Sequence, residues 1–229
     1  ETKTTSNDPT VVRVPEDCQT VKEALEKAIA DPTIRKISVG KGEHQVEEDE
    51  CGDNYLSIDF PITIVGNGDQ NEVVVVGGFR IEEGVQGNVH VQNMTIRHLK
   101  GGGVWGQSPF TLEDVIVEQC GWGVRADGTA CVARCTNVEV RQCKRSGVVA
   151  GNGGSITLMG AMTTVHHNNP SGDSDEFGLK VYIATSKIQL VHPLTKESVA
   201  TNNPGGGNWG AGGGADINQI QTIPATTAD

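Results

Sequence analysis

Val89-His-Val91-Gln-Asn93-Met-Thr95-Ile96-Arg97-His-Leu99 is answered by Phe110-Thr-Leu112-Glu-Asp114-Val-Ile116-Val117-Glu118-Gln-Cys120, and again by Ala133-Arg-Cys135-Thr-Asn137-Val-Glu139-Val140-Arg141-Gln-Cys143. A more degenerate copy ends in Met162-Thr-Thr164-Val165-His166-His167-Asn168. The anchors Ile96, Val117, Val140 and Val165 recur roughly every 21 to 25 residues, a period that marks stacked units, each unable to bury its apolar side alone. Within a copy, apolar residues alternate, a polar pair follows, and a glycine-rich bend closes it. Alternation at every second position is the strand period, so each unit is built of strands and turns.

Two further internal matches extend the pattern. Val165-His-His-Asn-Asn-Pro170 reads against Val199-Ala-Thr-Asn-Asn-Pro204, and Gly101-Gly-Gly-Val-Trp105-Gly106 against Gly205-Gly-Gly-Asn-Trp209-Gly210. The glycine-rich C-terminal region is therefore expected to be another unit of the stack and not a flexible linker. Stacking would place Ile96, Val117, Val140 and Val165 in one inward column, and Leu99, Cys120, Cys143 and Asn168 in a second after the turn. Asn93, Asp114 and Asn137 would share a bend, because Asn and Asp tolerate left-handed backbone geometry. Backbone hydrogen bonds between units leave an unpaired edge at each end, which needs a cap or a partner.

Upstream of the repeats, Val11–Val46 reads strand, helix, strand. Thr20 followed by Glu23 is a capping-box pattern, Val21, Leu25, Ala28 and Ile29 fall on one helical face, and Asp31-Pro32 stops the helix. Strands are expected at Leu56–Ile58, Ile62–Ile64, Val73–Val76, Phe79–Ile81, Leu179–Ile183 and Ile188–Val191. A turn-rich insertion follows Val165, and Ile217, Ile220 and Ile223 would supply a last strand or cap. Val14-Pro-Glu-Asp-Cys-Gln-Thr-Val-Lys-Glu-Ala-Leu25, Ile37-Ser-Val-Gly-Lys-Gly-Glu-His44 and Ile62-Thr-Ile-Val-Gly66 together resemble the start of right-handed parallel β-helix proteins of the pectate-lyase-like superfamily, with its carbohydrate-binding and sugar-hydrolase-type repeats. The resemblance implies an all-β fold, a single-stranded right-handed parallel β-helix (solenoid) of about seven rungs, opened by a short N-terminal capping α-helix. The expected organisation is an exposed tail over residues 1–10, one β-helix domain over 11–223 with its cap helix near 20–30, and a C-terminal tail over 224–229.

A net charge of −11 argues against nucleic acid, whose phosphates want a basic face, and disfavours anionic lipid, and no apolar run reaches the ~18 residues of a membrane span. The six cysteines are an even number, as in a secreted disulfide protein, and their pairing is open. Cys120 and Cys143 occupy the same place in successive units, ~4.8 Å apart if stacked, which makes them a candidate disulfide. Cys131 and Cys135 are too poorly spaced for zinc, so no metal is expected. The start at Glu1, without methionine, fits a mature secreted or cell-surface protein after cleavage, or simply a trimmed chain.

For chemistry, the alternating row Arg97, Glu118, Arg141 reads as a surface ion-pair ladder. The sequence lacks the clustered carboxylates of the superfamily's lyases, the paired aspartates of its glycosidases and the Gln-Asp and Asp-Phe motifs of its esterases. No catalytic residue is therefore assigned. His166-His167 beside Asp173, Asp175 and Glu176 is the nearest approach to a general-base or metal cluster. Trp105, Trp122 and Trp209, each beside a glycine-rich bend, are candidate stacking surfaces for sugar, and Asn93-Met-Thr95 is a lone glycosylation sequon. The expectation is a non-catalytic extracellular protein, structural or self-assembling end to end, decorated with or bound to glycan. The alternatives are a polysaccharide lyase using Arg97, Arg125, Arg141 or His166, with calcium as cofactor under that reading alone, and a glycan-binding adhesin.

Overall fold

The computed structural model describes residues 8–49 and 52–225 of the 229-residue chain. Apart from the helices Val21–Ala30 and Lys196–Val199 and a 3-10 turn at Ile217–Gln219, the fold is all-β, and its strands pair in parallel in two sheets of fourteen and seven strands. The larger sheet has two limbs. One runs through Val11–Val14, Lys36–Val39, Thr63–Gly66, Val89–Arg97, Phe110–Glu118, Val132–Thr136, Ser155–Met159, Lys187–Val191 and Ile220–Ile223. The other takes Gly42–Gln45, Val73–Val76, the second halves of Val89–Arg97 and Phe110–Glu118, then Glu139–Arg141, Thr164–His166 and Ala200–Thr201. The smaller sheet stacks Tyr55–Ile58, Gly78–Ile81, Val104–Gly106, Val124–Asp127, Val148–Gly151, Leu179–Tyr182 and Trp209–Gly212. The chain visits first limb, second limb and smaller sheet in that order once for each of these seven strands.

The repeat expected from the sequence is the repeat of the structure. Ile96 pairs with Val117, Val117 with Val140 and Val140 with Val165, and all four are fully buried. The two limbs meet at Asn93, Asp114 and Asn137, whose φ angles of 56°, 52° and 53° are left-handed. Such a residue turns the chain at a break in the pairing, which stops at Gln92, Glu113 and Thr136 and resumes beyond the bend, and Asn137 Nδ2 donates to Asp114 Oδ1 at 3.1 Å across the stack. A second left-handed column, Gln119, Gln142, His167 and Asn202, turns the next residues (Cys120, Cys143, Asn168 and Asn203) into the core. The two asparagines satisfy buried backbone there: Asn168 Oδ1 accepts from Cys143 N at 2.9 Å, and Asn203 Oδ1 from Asn168 N at 3.0 Å.

Leu99 does not join this column. His98 has no left-handed φ, so the inward place falls to His98 itself, which is buried against Tyr55, and Leu99 is 54 % exposed. The two C-terminal matches hold for type of structure but slip by one residue. Val165 pairs with Ala200, not Val199, and Trp209 lies in the column of Val104, not of Trp105. The likeness in sequence rests on identical residues, whereas backbone pairing follows the alternation of inward side chains.

At the N-terminus, Thr20 Oγ1 accepts from Glu23 N at 3.1 Å while Glu23 reaches back to Thr20 N, the anticipated capping box. The helix buries Val21, Ala24, Leu25 and Ala28; Ile29, expected on that face, is 56 % exposed. The last strand, Ile220–Ile223, pairs with Ile188–Val191 of its own chain. Cys51 and residues 1–7 and 226–229, which hold most of both expected tails, lie outside the described residues.

Candidate functional site

Side chains alternate across a strand, so each strand of the smaller sheet sends every second residue outward. Register places Arg80, Trp105, Arg125, Val149, Lys180 and Gly210 in one outward column. Two residues further along each strand, Asp127 faces Gly151 and Tyr182 faces Gly212. Trp122 stands at the bend that leads into Val124–Asp127, beside Gly102 of the preceding repeat. Glycines on this face leave the rings without neighbouring Cβ cover, which opens two adjoining hollows. One of about 290 Å³ is lined by Trp122, Arg125, Arg145, Glu176, Lys180 and Tyr182. The other, about 230 Å³, lies between Trp105, Trp122, Val104 and Gly102, and Arg125 belongs to both.

Two buried carboxylates organise the polar side chains of this groove. Asp127 accepts from Arg125 Nε at 2.6 Å, from Trp105 Nε1 at 3.0 Å and from Asn152 Nδ2 at 3.3 Å. A Cβ on Gly151 would overlap Asp127 Oδ1, so glycine in the next repeat makes room for the carboxylate. Glu176 comes from the turn-rich insertion and meets Arg145 at 2.8 Å, Lys180 at 3.5 Å and the Ser146 hydroxyl. Burial alone would raise its pKa, but Ser146, Lys180 and Arg145 outweigh burial and lower it, so Glu176 is ionised at neutral pH. Guanidinium groups lie against both indoles: Arg80 4.9 Å from the Trp105 centroid, and Arg145 and Arg125 5.4 and 5.9 Å from that of Trp122.

Of the three tryptophans singled out in the sequence, the structure thus unites Trp105 and Trp122. Trp209, shifted one place into the inward column, packs on the end of the core under Lys196, 5.7 Å from its ring. Asp127, Arg145, Glu176 and Tyr182 were not anticipated as one site. Arg125-Ala-Asp127 carried the only local signal, since i and i+2 in a strand share a face.

The other candidates have structural settings. Glu118 is held between Arg97 at 2.6 Å and Arg141 at 2.8 Å, and Arg141 continues to Glu139 at 2.7 Å. The expected ladder therefore exists, and it engages two of the arginines weighed for lyase chemistry. His166 extends it, with Nε2 3.0 Å from Glu139 Oε1 and Nδ1 2.8 Å from His167 Nδ1. The histidines do not join Glu176, which serves the groove instead. Asn93 lies in its bend beside the polar loop Gly68–Asn71, and Thr95 of the sequon is buried with its hydroxyl on the Gln70 carbonyl.

Cys120 and Cys143 occupy one column as expected, but they are free thiols and not a disulfide, as are Cys18, Cys131 and Cys135. Each turns its sulfur to backbone carbonyls, Cys120 to Glu118 O at 3.2 Å and Cys143 to Arg141 O at 3.6 Å. In-register residues of a parallel stack point the same way, which does not by itself give the crossed geometry of a disulfide. The cysteines therefore carry no argument about compartment. Burial pushes Cys131 and Cys135 up to about 12, so both are unreactive thiols at neutral pH. Among the described residues no three His, Cys, Asp or Glu side chains are grouped to hold a metal ion, and no helix is long and apolar enough to cross a membrane.

No protein-family model matches the chain, and no curated protein or solved structure matches it. Function is read from the site itself.

Proposed function

We propose that the chain is a right-handed parallel β-helix of the pectate-lyase-like type and that it works outside the cell or at its surface as a non-catalytic glycan-binding protein. The sevenfold return to the same three strand positions supports the fold, and right-handedness follows from the strong preference of parallel crossovers. The single observation that carries the function is the groove formed by Trp105 and Trp122 with hydrogen-bonding arginines and carboxylates around them. Sugars present an apolar ring face and a rim of hydroxyls, so aromatic rings beside fixed donors and acceptors match both halves. Arg97 and Arg141 are committed to Glu118 and stand on a different face, which weighs against a lyase built on them. Trp122→Ala is expected to weaken glycan-array binding at least tenfold, about 1.4 kcal/mol, with the fold unchanged by circular dichroism. Undiminished binding by both Trp122→Ala and Trp105→Ala would remove the groove from the site. Release of unsaturated sugar from acidic polysaccharide with calcium would establish the lyase instead.

A second reading, end-to-end self-assembly, is favoured by the last strand. Among the described residues Ile220–Ile223 pairs only with Ile188–Val191 and keeps one edge without a strand partner. At the other end the outward backbone groups of Arg13 are taken by the Asp17 carboxylate and by the Asp17 and Cys18 amides, so a copy docking there would have to replace these turn bonds. Electron microscopy across a concentration series is expected to show filaments one molecule wide. A monodisperse monomer at the highest concentration would rule this assembly out.

A further inference from the structure

The groove contains enough positive side chains to suggest an acidic ligand, yet they are already matched. Arg80 pairs with Glu82 at 3.2 Å, Arg125 with Asp127 at 2.6 Å, and Arg145 and Lys180 share Glu176. Four cations against three carboxylates leave one formal positive charge, spread along a face of a protein whose net charge is −11. Asp127 and Glu176 are 5 % and 4 % exposed, so their charges are fixed features of the floor that solvent screens poorly.

Resting on the glycan reading above, we infer that the groove selects neutral oligosaccharides over acidic ones. An arginine paired through Nε and one Nη still has N–H groups free. Arg125 uses Nε and Nη2 on Asp127, which leaves Nη1 to donate. The oxygens of Asp127 are already met by Arg125 Nε and Nη2, Trp105 Nε1 and Asn152 Nδ2, so the carboxylate fixes the donor and a sugar hydroxyl oxygen accepts from Nη1. A pyranose hydroxyl is a neutral acceptor of this kind, and the ring's apolar face lies against an indole. A uronate or sulfated sugar would have to displace a buried carboxylate from its arginine, or lie beside it with like charges in contact, and either is unfavourable. Charge pairing thus serves as discrimination: it orients the donors and at the same time leaves no cation of the groove without a carboxylate partner. Gly151 contributes by leaving room for Asp127.

The test is titration calorimetry on the full chain, at low and at physiological salt, with size-matched neutral hexose tetrasaccharides and uronic-acid tetrasaccharides. Neutral tetrasaccharides are expected to bind at least tenfold tighter, with affinity nearly independent of salt. Glu82→Gln, a change at a partly exposed site that frees Arg80, is expected to raise acidic-sugar affinity several-fold and leave neutral binding almost unchanged. Equal or tighter binding of the acidic series by the unaltered protein overturns the selectivity while the glycan-binding function stands. No binding to either series overturns both.

Discussion

Gly123→Ala is expected to lower stability by about 3 kcal/mol, read as a fall in the urea midpoint at unchanged m. Gly78, Gly103, Gly123, Gly147 and Gly178 form a column at the mouth of the smaller sheet, one per repeat, directly before the inward-facing first or second residue of each strand. A Cβ on Gly123 would overlap the Gly147 carbonyl oxygen and Val140 Cγ1, the first a backbone atom of the next repeat and the second part of the central apolar column. Neither can yield by rotating a flexible side-chain end, so the sheets would have to separate at that level. The same holds at Gly147, where the new atom would sit 2.6 Å from Val165 Cγ1 and 2.9 Å from the Gly178 carbonyl. Gly84→Ala is the control: φ is +88° and nothing lies within 4 Å of the added atom, so only backbone strain of about 1 kcal/mol applies. Equal losses for the two variants would show that close packing of repeats is not what these glycines provide.

That column explains why the glycine-rich bends were legible as punctuation but not as packing. The sequence displays period and alternation, and these gave the columns of Ile96 and Val117, the bends at Asn93, Asp114 and Asn137, and the ladder from Arg97 to Arg141, all present in the structure. What it displays less well is register after an irregular turn. His98 takes the inward place because no left-handed residue precedes Leu99, and Trp209 sits one place from its apparent counterpart Trp105. A one-residue slip reverses a side chain's face, and that decides whether a tryptophan packs on the core or opens to a ligand. The groove was hidden for a related reason. Glu176 is separated in sequence from Trp122, Arg125 and Arg145, and only the return of the chain after its insertion brings them together.

Glu118→Gln is expected to cost about 2 kcal/mol at pH 7 and progressively less on acidification. Removing one member of a buried ion pair costs ~3–5 kcal/mol, because the remaining charge is left unpaired. Here the loss should be smaller: Glu118 is buried at 8 % side-chain exposure, but Arg97 and Arg141 are each 30 % exposed and can be partly rehydrated. Burial by itself would raise the Glu118 pKa; the hydrogen bonds and charges of Arg97 and Arg141 outweigh it and lower it. A carboxyl whose folded pKa lies below its unfolded value of about 4.3 binds its proton more readily when unfolded. Its contribution is therefore complete above about pH 4.3 and disappears as pH falls through the lower, folded value. Thermal unfolding of both proteins from pH 7 to pH 3 should show a gap in melting temperature that is widest at neutral pH and narrows below about pH 4, as the native carboxylate protonates and comes to resemble the amide. A gap that stays constant with pH would mean that Glu118 contributes through shape and neutral hydrogen bonding, and that the ladder of alternating charge along this face is not a source of stability.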